Sequence, residues 1–176
     1  MGDIEQQTAW GFETAAVHAG QAPDPVTGAV VTPISLSTTF QQEQVGQHRG
    51  YEYSRSGNPT RDQLGDALAA LEGGVGAVVT ASGMAAITLV LHLLQPGDRL
   101  VVPHDGYGGS WRLFKALAAK GHFELAIADL TDPRALAAAL EPAPKLVWIE
   151  TPSNPLLRIT DLRFVIDAAH KAGALA

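Results

Sequence analysis

The chain has 176 residues, a formal net charge of -6 and a hydrophobic fraction of 46%. This composition is typical of one globular domain, and the net charge argues against a general nucleic-acid binder. The chain has no Cys, which excludes a disulfide framework, a thiolate metal site and a Cys nucleophile. Its first residues include Asp3 and Glu5 without a basic cluster, so we expect no signal peptide and a cytoplasmic location.

The first third of the chain is irregular. Residues 1–57 contain several Pro and Gly and show no long periodic segment. Residues 14–18 predict one or two helical turns, and residues 33–40 predict an extended segment. A long segment without its own core is either disordered or packed on another surface. The aromatic residues Tyr51 and Tyr53 favour packing, so we predict an N-terminal arm that contacts a neighbouring subunit.

From Asn58 onward, helical and strand patterns alternate. Asn58 is a good helix N-cap and Pro59 suits the first helical position. The first two predicted helices cover 59–72 and 84–94. Three further helices are predicted to begin at Ser110, after Asp132 and after Thr160. The predicted strands cover 76–80, 99–103, 123–128 and 145–150. This alternation predicts an α/β domain with a mainly parallel sheet. Residues 173–176 resemble the start of another strand, so we expect this chain to be the front part of a longer polypeptide.

A small, Gly-containing turn separates the strand predicted at 76–80 from the helix predicted at 84–94. A helix that begins at Ser82 and Gly83 directs unpaired backbone N–H groups and the positive end of its dipole at one point. The turn is therefore a candidate cradle for a phosphate or a carboxylate. The same pattern also fits a simple turn in which Gly permits close packing, and the local sequence leaves both readings open.

Common catalytic and nucleotide-binding motifs are absent. The sequence contains no G-x-G-x-x-G, no P-loop and no H-E-x-x-H, and the run from Gly108 fails the G-x-S-x-G pattern at Arg112. The six His residues show no pair with metal-ligand spacing, although His104-Asp105 is a conceivable start of a site. We therefore predict no metal site.

The remaining candidates lie in loops that follow strands and in the arm. Tyr107 stands among three Gly residues, which lets its ring face a ligand, or else it is an ordinary aromatic in a flexible turn. Asn154 lies between two Pro residues and can donate to a ligand oxygen, or else it belongs to a simple Pro-rich turn. Tyr53 and Arg55 offer a hydroxyl and a guanidinium suited to a phosphate, unless Arg55 is merely solvated.

Five motifs, in this order along the chain, resemble the trans-sulfuration enzymes of cysteine and methionine metabolism, which use pyridoxal 5'-phosphate. They are YEYSRSGNPT (51–60), ALEGG (70–74), SGMAA (82–86), DGYGGS (105–110) and ETPSNP (150–155). The combination of RLVVPHD (99–105) with PSNPLL (152–157) is most similar to the γ-synthases of this family. The resemblance implies γ-replacement on an activated homoserine, with γ-lyases and homoserine-ester sulfhydrylases as alternatives.

The resemblance implies a fold and an assembly. The fold would be the large domain of fold-type I, aspartate aminotransferase-like enzymes: a mainly parallel sheet with helices on both faces, preceded by an extended arm. Residues 1–57 would be the arm, and 58–176 the front part of the cofactor-binding domain. The protein would be a homo-oligomer, a dimer of dimers, that takes small amino-acid substrates.

The resemblance also implies roles for matched residues. Backbone N–H groups of Gly83 and Met84 would bind the cofactor phosphate. Tyr107 would stack on the pyridine ring and is the catalytic candidate. Asn154 would bond near the phenolic oxygen of the cofactor.

Two further sets of residues complete the implied site. Tyr53 and Arg55 would reach the phosphate of the neighbouring subunit's cofactor, and Arg112 is a weaker candidate for a substrate carboxylate. The Lys that forms the Schiff base in this family, in its Ser-x-Thr-Lys setting, is not found in these 176 residues, nor is the carboxylate that pairs with the pyridine nitrogen. The Lys residues are predicted to lie on the surface: Lys115, Lys120, Lys145 and Lys171.

Two other interpretations remain open from the sequence. The chain is either a phosphate-binding α/β module that performs no chemistry, or a doubly wound domain that binds no cofactor. Both predict a folded, soluble domain, and only the first predicts that the turn at Gly83 binds an anion.

Overall fold

The computed structural model describes residues 10–176. The acidic start with Asp3 and Glu5 lies outside the described residues. The chain divides into an N-terminal unit that ends at Thr80 and a C-terminal unit that begins at Ala81. In neither unit do the described residues form a helix both long enough and apolar enough to cross a membrane.

The described part of the N-terminal unit, from residue 10, contains two helices and a small hairpin. Their bounds are α1 Phe12–His18, β1 Gln42–Gln44, β2 Gln47–His48 and α2 Pro59–Glu72. Helix α1 confirms the short helix predicted at 14–18. The antiparallel hairpin of β1 and β2 was not predicted, because its residues are polar and exposed and show no alternation of apolar side chains.

Helix α2 has the predicted ends. Asn58 caps it, and its side chain accepts hydrogen bonds from the backbone N–H groups of Thr60 and Arg61 at 3.0 and 3.2 Å. Gly73 ends it in the left-handed conformation, with φ of 66°. The helix buries small residues, Gly65 and Ala69, rather than its leucines. The apolar spacing therefore predicted the helix but not the face that is buried.

Part of the predicted arm packs within the N-terminal unit. A Cβ built at Gly20 would lie 2.7 Å from both the Gln63 carbonyl oxygen and the Ala67 nitrogen of α2. Farther along, the backbone N–H of Ser35 donates to the Thr60 hydroxyl at 2.8 Å. Residues up to Ser35 are thus attached to α2 at two places. Contact of the arm with a neighbouring subunit stays a prediction.

The prediction of a strand at 76–80 is wrong. In the described part of the chain this segment joins neither sheet, and Val78 is 74% exposed. An apolar run becomes a strand only where a second strand satisfies its backbone groups.

The C-terminal unit alternates helices and strands as predicted. Its elements, in chain order, are α3 Gly83–Leu91, β3 Arg99–Pro103, α4 Gly108–Ala119, β4 Glu124–Ala128, α5 Pro133–Ala139, β5 Leu146–Val147 and α6 Leu162–Lys171. The three strands are parallel, in the order β4-β3-β5. Leu175 forms a parallel bridge with Leu146 on the far side of β5, so the apolar run at 173–176 pairs with the sheet as its pattern predicted.

Helices cover both faces of this sheet. Val101 and Val147 point into one core cluster with Leu136 of α5 and Val165 of α6. The intervening strand residues point into a second cluster with the helices of the opposite face, and this cluster contains Leu91, Leu94, Leu100, Val102, Phe114, Phe123 and Leu146. Successive strand residues alternate between the two clusters because side chains on a strand point to opposite faces. The predicted three-layer α/β architecture is confirmed.

Two element boundaries differ from the predictions. Helix α4 begins at Gly108, two residues before the predicted start, and Ser110 is buried within its first turn. Strand β5 covers only 146–147 of the predicted 145–150, although Trp148 still donates to the Val101 carbonyl at 2.8 Å. Beyond Trp148 the chain leaves the sheet and enters the loop that carries Asn154.

Candidate functional site

The three parallel strands end at one edge of the sheet, and the loops that follow them carry two of the predicted site residues, Tyr107 and Asn154. Parallel strands share a direction, so the residues after β3, β4 and β5 emerge on the same side. This is the edge at which open α/β sheets bind ligands. Tyr107 follows β3, Asp129 follows β4, and Asn154 follows β5.

Tyr107 presents its ring at this edge. It is the N-cap residue of α4, and 51% of it is exposed. A Cβ built at Gly109 would overlap the Tyr107 ring edge and would lie 3.1 Å from Met84 Sδ. The ring therefore lies directly on the glycine backbone, next to the thioether of Met84. Gly is required at position 109 because the Tyr107 side chain lies against the backbone there.

Glu150 fixes the backbone of Tyr107. Its Oε2 accepts a hydrogen bond from the Tyr107 N–H at 2.5 Å, and its Oε1 accepts one from Trp148 Nε1 at 2.9 Å. Glu150 was not among the predicted site residues. Its position at the end of the strand next to β3 was the only signal that could have indicated this contact.

The turn at Ser82 has the form predicted for an anion cradle. Ser82 is the N-cap of α3 and accepts a hydrogen bond from the Ala85 N–H at 3.2 Å. The N–H groups of Gly83 and Met84, in the first helical turn, have no intrahelical carbonyl to bond. A Cβ built at Gly83 would meet nothing within 4 Å, so the backbone there is open to approach. Met84 joins this turn to the Tyr107 ring.

Asn154 occupies the exposed tip of a closed loop. Ser153, at the base of the loop, is buried. Its N–H donates to the Arg158 carbonyl at 3.0 Å, and its hydroxyl accepts a hydrogen bond from the Arg158 N–H at 3.2 Å. Thr151 Oγ1 accepts from the Thr160 N–H at 3.0 Å. These bonds fix the backbone on both sides of Asn154 and leave its side chain exposed.

Arg158 links this loop to the ends of β3 and β4. Its Nη2 donates to Asp129 Oδ2 at 2.7 Å and to Thr131 Oγ1 at 2.8 Å, and its Nη1 lies 2.9 Å from His104 Nε2. Hydrogen bonds from Thr131 and Arg158 lower the pKa of Asp129 well below its ordinary value. The bond to Asp129 in turn raises the pKa of Arg158. Sequence reasoning missed this cluster, since its members are far apart in the chain.

Three predicted residues remain without an observed role. Tyr53 and Arg55 lie in the N-terminal unit, where the guanidinium carbon sits 5.1 Å from the centroid of the Tyr53 ring. Arg112 lies on α4 with its side chain exposed. Phosphate binding by the first two and carboxylate binding by the third stay predictions.

The prediction that the Lys residues lie on the surface can be compared with the structure. All four Lys residues are exposed, as predicted. Within residues 10–176, no three His, Cys, Asp or Glu side chains are grouped so that they could hold a metal ion.

Comparison with known proteins identifies the family. A family model described as Cys/Met metabolism PLP-dependent enzyme matches residues 13–176. The chain belongs to this family. Its enzymes use pyridoxal 5'-phosphate, and the α/β unit described above has the fold-type I architecture of solved family members.

Individual members of the Cys/Met metabolism PLP-dependent family are similar over more than nine-tenths of the chain. Cystathionine γ-synthase of Escherichia coli is 50% identical over 164 residues, covering 93% of this chain and 42% of the relative. Cystathionine γ-lyase of Bos taurus is 48% identical over 163 residues, covering 92% of this chain and 40% of the relative. A crystal structure of cystathionine γ-synthase from Xanthomonas oryzae pv. oryzae matches with a TM-score of 0.89 and 66% identity, covering 94% of this chain and 43% of that one. The chain thus spans less than half the length of these relatives.

The turn at Gly83 and the side chains of Tyr107 and Asn154 fit the cofactor of the family. A phosphate can approach the open backbone at Gly83, where two N–H groups without intrahelical bonds and the helix dipole favour an anion. The exposed ring of Tyr107 can stack on another aromatic ring. It lies close to Met84, the residue that follows Gly83. The exposed amide of Asn154 suits a polar ring substituent.

Proposed function

We propose that the complete protein carrying this sequence is a pyridoxal 5'-phosphate enzyme that performs γ-replacement on an activated homoserine. In its specific form the proposal is the joining of O-succinylhomoserine and cysteine to give cystathionine. The observation that carries it is the 66% identity to the Xanthomonas cystathionine γ-synthase over 94% of this chain. The γ-lyases of Bos taurus and Micromonospora echinospora are 48% and 44% identical over comparable lengths.

In this proposal, the turn after Ser82 holds the phosphate. The N–H groups of Gly83 and Met84 donate to it, and the N-terminal end of α3 adds a favourable dipole. The absence of a side chain at Gly83 leaves room for the phosphate oxygens. Bound at this site, the cofactor supplies an electron sink for the bond cleaved at Cα of the substrate.

Tyr107 and Asn154 orient the ring. Tyr107 presents one face of its phenol for stacking, and Gly109 and Met84 fix the position of that ring. Asn154 donates its amide to the phenolic oxygen from a loop whose base is closed by hydrogen bonds. Arg112 is the proposed partner of the substrate carboxylate, because a guanidinium can donate two parallel hydrogen bonds to it.

We also propose that the site is completed by a second subunit. Tyr53 and Arg55 would donate to the phosphate of the neighbouring subunit's cofactor, in a cytoplasmic dimer of dimers. The support is chemical: a hydroxyl and a guanidinium are presented on the same side of one short segment, 41% of Tyr53 being exposed.

Titration with cofactor tests the proposal at its base. The complete protein, treated with pyridoxal 5'-phosphate and dialysed, should keep a visible absorbance band of bound cofactor. Gly83→Asp should lose that band, since a carboxylate would occupy the position of the phosphate. A wild-type protein without the band would contradict the proposal and would favour a domain that binds no cofactor.

Product analysis tests the specific reaction. With O-succinylhomoserine and cysteine, the protein should form cystathionine and release succinate. A γ-lyase would instead consume cystathionine, and a sulfhydrylase would use sulfide in place of cysteine. The identity to the bovine γ-lyase makes the lyase the second candidate.

A further inference from the structure

The carboxylate of Glu150 lies between two N–H donors at the edge of the sheet. One donor is the backbone N–H of Tyr107, at 2.5 Å from Oε2, and the other is the indole Nε1 of Trp148, at 2.9 Å from Oε1. We propose that Glu150 is a positioning residue that sets the place of the Tyr107 ring and thereby the affinity of the protein for its cofactor. This inference rests on the proposed function, in which Tyr107 stacks on the cofactor.

The start of α4 depends on Glu150 because the helix lacks a cap of its own. Tyr107 is the N-cap residue, and its side chain makes no capping hydrogen bond. In a capping box, the N–H of the N-cap residue is satisfied by a Glu or Gln three residues later. Here that place is taken by Ser110, whose hydroxyl is buried and has no partner among the described residues. Glu150 supplies the missing acceptor from a neighbouring strand end.

The surroundings leave the carboxylate little freedom. A Cβ built at Gly106 would lie 3.3 Å from Glu150 Oε2 and 3.2 Å from Pro103 Cγ. The absence of a side chain at Gly106 therefore permits the close approach of the carboxylate to the turn. Trp148 is held in turn by an edge-on contact with Phe114, at 5.6 Å between ring centroids.

The position of the Tyr107 ring depends on these contacts. Its backbone N–H is held by Glu150, and its ring lies on Gly109 beside Met84. The main chain and the side chain of Tyr107 are thus each held by a separate contact. A shift of the N-cap residue would move the ring away from the turn at Gly83. The function of Glu150 is to prevent that shift.

Substitution by Gln gives a sharp test, since both partners of Glu150 are donors. The two donors face different carboxylate oxygens, and Gln places an NH₂ group at one of these two positions, so one donor would face another donor. In the complete protein, Glu150→Gln should raise the dissociation constant for pyridoxal 5'-phosphate about tenfold, as expected for one lost bond to a charged group. It should also weaken the induced circular dichroism of the bound cofactor. Glu124→Gln, which removes the same charge at an exposed position, should match wild type.

Removal of the second donor should rescue the Gln variant. Trp148→Phe leaves the bond to Tyr107 intact and should bind cofactor nearly as wild type does. When Glu150→Gln is added to Trp148→Phe, the new amide can direct its oxygen at the Tyr107 N–H without opposing the indole N–H. This double variant should therefore bind within about threefold of Trp148→Phe, whereas Glu150→Ala in the same background should bind about tenfold more weakly. A role of Glu150 in folding alone would not produce this order of cofactor affinities.

The outcomes separate the two proposals. A wild-type protein that binds no cofactor contradicts the proposed function. A wild-type protein that binds it, together with a Glu150→Gln variant of equal affinity and equal dichroism, overturns the role of Glu150. If the single variant does not fold, the comparison of Glu150→Gln with Glu150→Ala in the Trp148→Phe background decides the matter, and equal affinities there would also overturn it.

Discussion

At Gly109, a hydrogen atom in place of a side chain lets the Tyr107 ring lie on the helix backbone. Gly109→Ala would bring a Cβ to 3.0 Å from Tyr107 Cζ and 3.1 Å from Met84 Sδ, so the ring must move. We expect a loss of about 1–3 kcal/mol in stability, as for other overpacked sites, and weaker cofactor binding. Urea unfolding and cofactor titration would measure the two effects.

Gly108 provides the matched control for this substitution. A Cβ there would lie 3.5 Å from Arg112 Nη1, which is an ordinary contact. Gly108→Ala should keep or raise stability by up to about 1 kcal/mol, because Ala is the better helix former. Equal losses for the two variants would show that the Tyr107 ring is not held by Gly109.

The Asp129 carboxylate contributes stability that depends on pH. Bonds from Thr131 and Arg158 lower its folded pKa, so its contribution is present above the unfolded value and is lost as the pH falls through the folded value. Its partial exposure limits this contribution to about 1 kcal/mol. Asp129→Asn should therefore be less stable than wild type at pH 7, and the difference in unfolding free energy should begin to narrow only below about pH 4 and should continue to narrow toward about pH 2. Thermal unfolding over this range would reveal it, and a constant gap would contradict the role of the charge.

Among the helices, α2 shows how a cap also anchors the preceding segment. Asn58 accepts two N–H bonds from α2, and its Nδ2 donates to the Ser35 carbonyl at 3.3 Å. Asn58→Ala should cost about 1–2 kcal/mol in unfolding free energy, since it removes both functions. Asn58→Asp keeps the cap but loses the donor to Ser35, and it should cost less. If Asp and Ala cost the same, the cap acceptor does not stabilise α2.

Elements were predictable where the local sequence sets them. The cap at Asn58, the end of α2 at Glu72 and the start of α5 after Asp132 depend on neighbours within four residues, and all three were found. The strand expected at 76–80 depended on a distant partner and failed, as did the length of β5. In the candidate site, the sequence motifs indicated Tyr107 and Asn154, and the resemblance to the family implied the roles predicted for them. The bond from the Tyr107 N–H to the Glu150 carboxylate joins residues 43 positions apart, and no local pattern encodes it.

At the scale of the whole molecule, we proposed that Arg55 of one subunit contributes to the active site of its neighbour. This proposal can be tested by mixing two inactive variants. If Arg55 serves the neighbouring active site, a subunit with Arg55→Ala and a subunit with Gly83→Asp are each inactive for different reasons. In a mixed pair, one site combines the intact Arg55 of one subunit with the intact Gly83 turn of the other. The second site of that pair carries both defects.

Random reassembly of equal amounts should place half of the subunits in mixed pairs, so about a quarter of all sites should become active. The two variants would be unfolded together, refolded, and assayed for bound cofactor and for cystathionine formation against each variant refolded alone. An Arg55→Ala, Gly83→Asp double variant mixed with itself is the control and should stay inactive. Recovery no greater than in that control would place Arg55 at the cofactor of its own subunit, and an Arg55→Ala variant that is active alone would place Arg55 away from any site. Recovery near a quarter requires that the arm residues and the Gly83 turn of one functional site come from different copies of the chain.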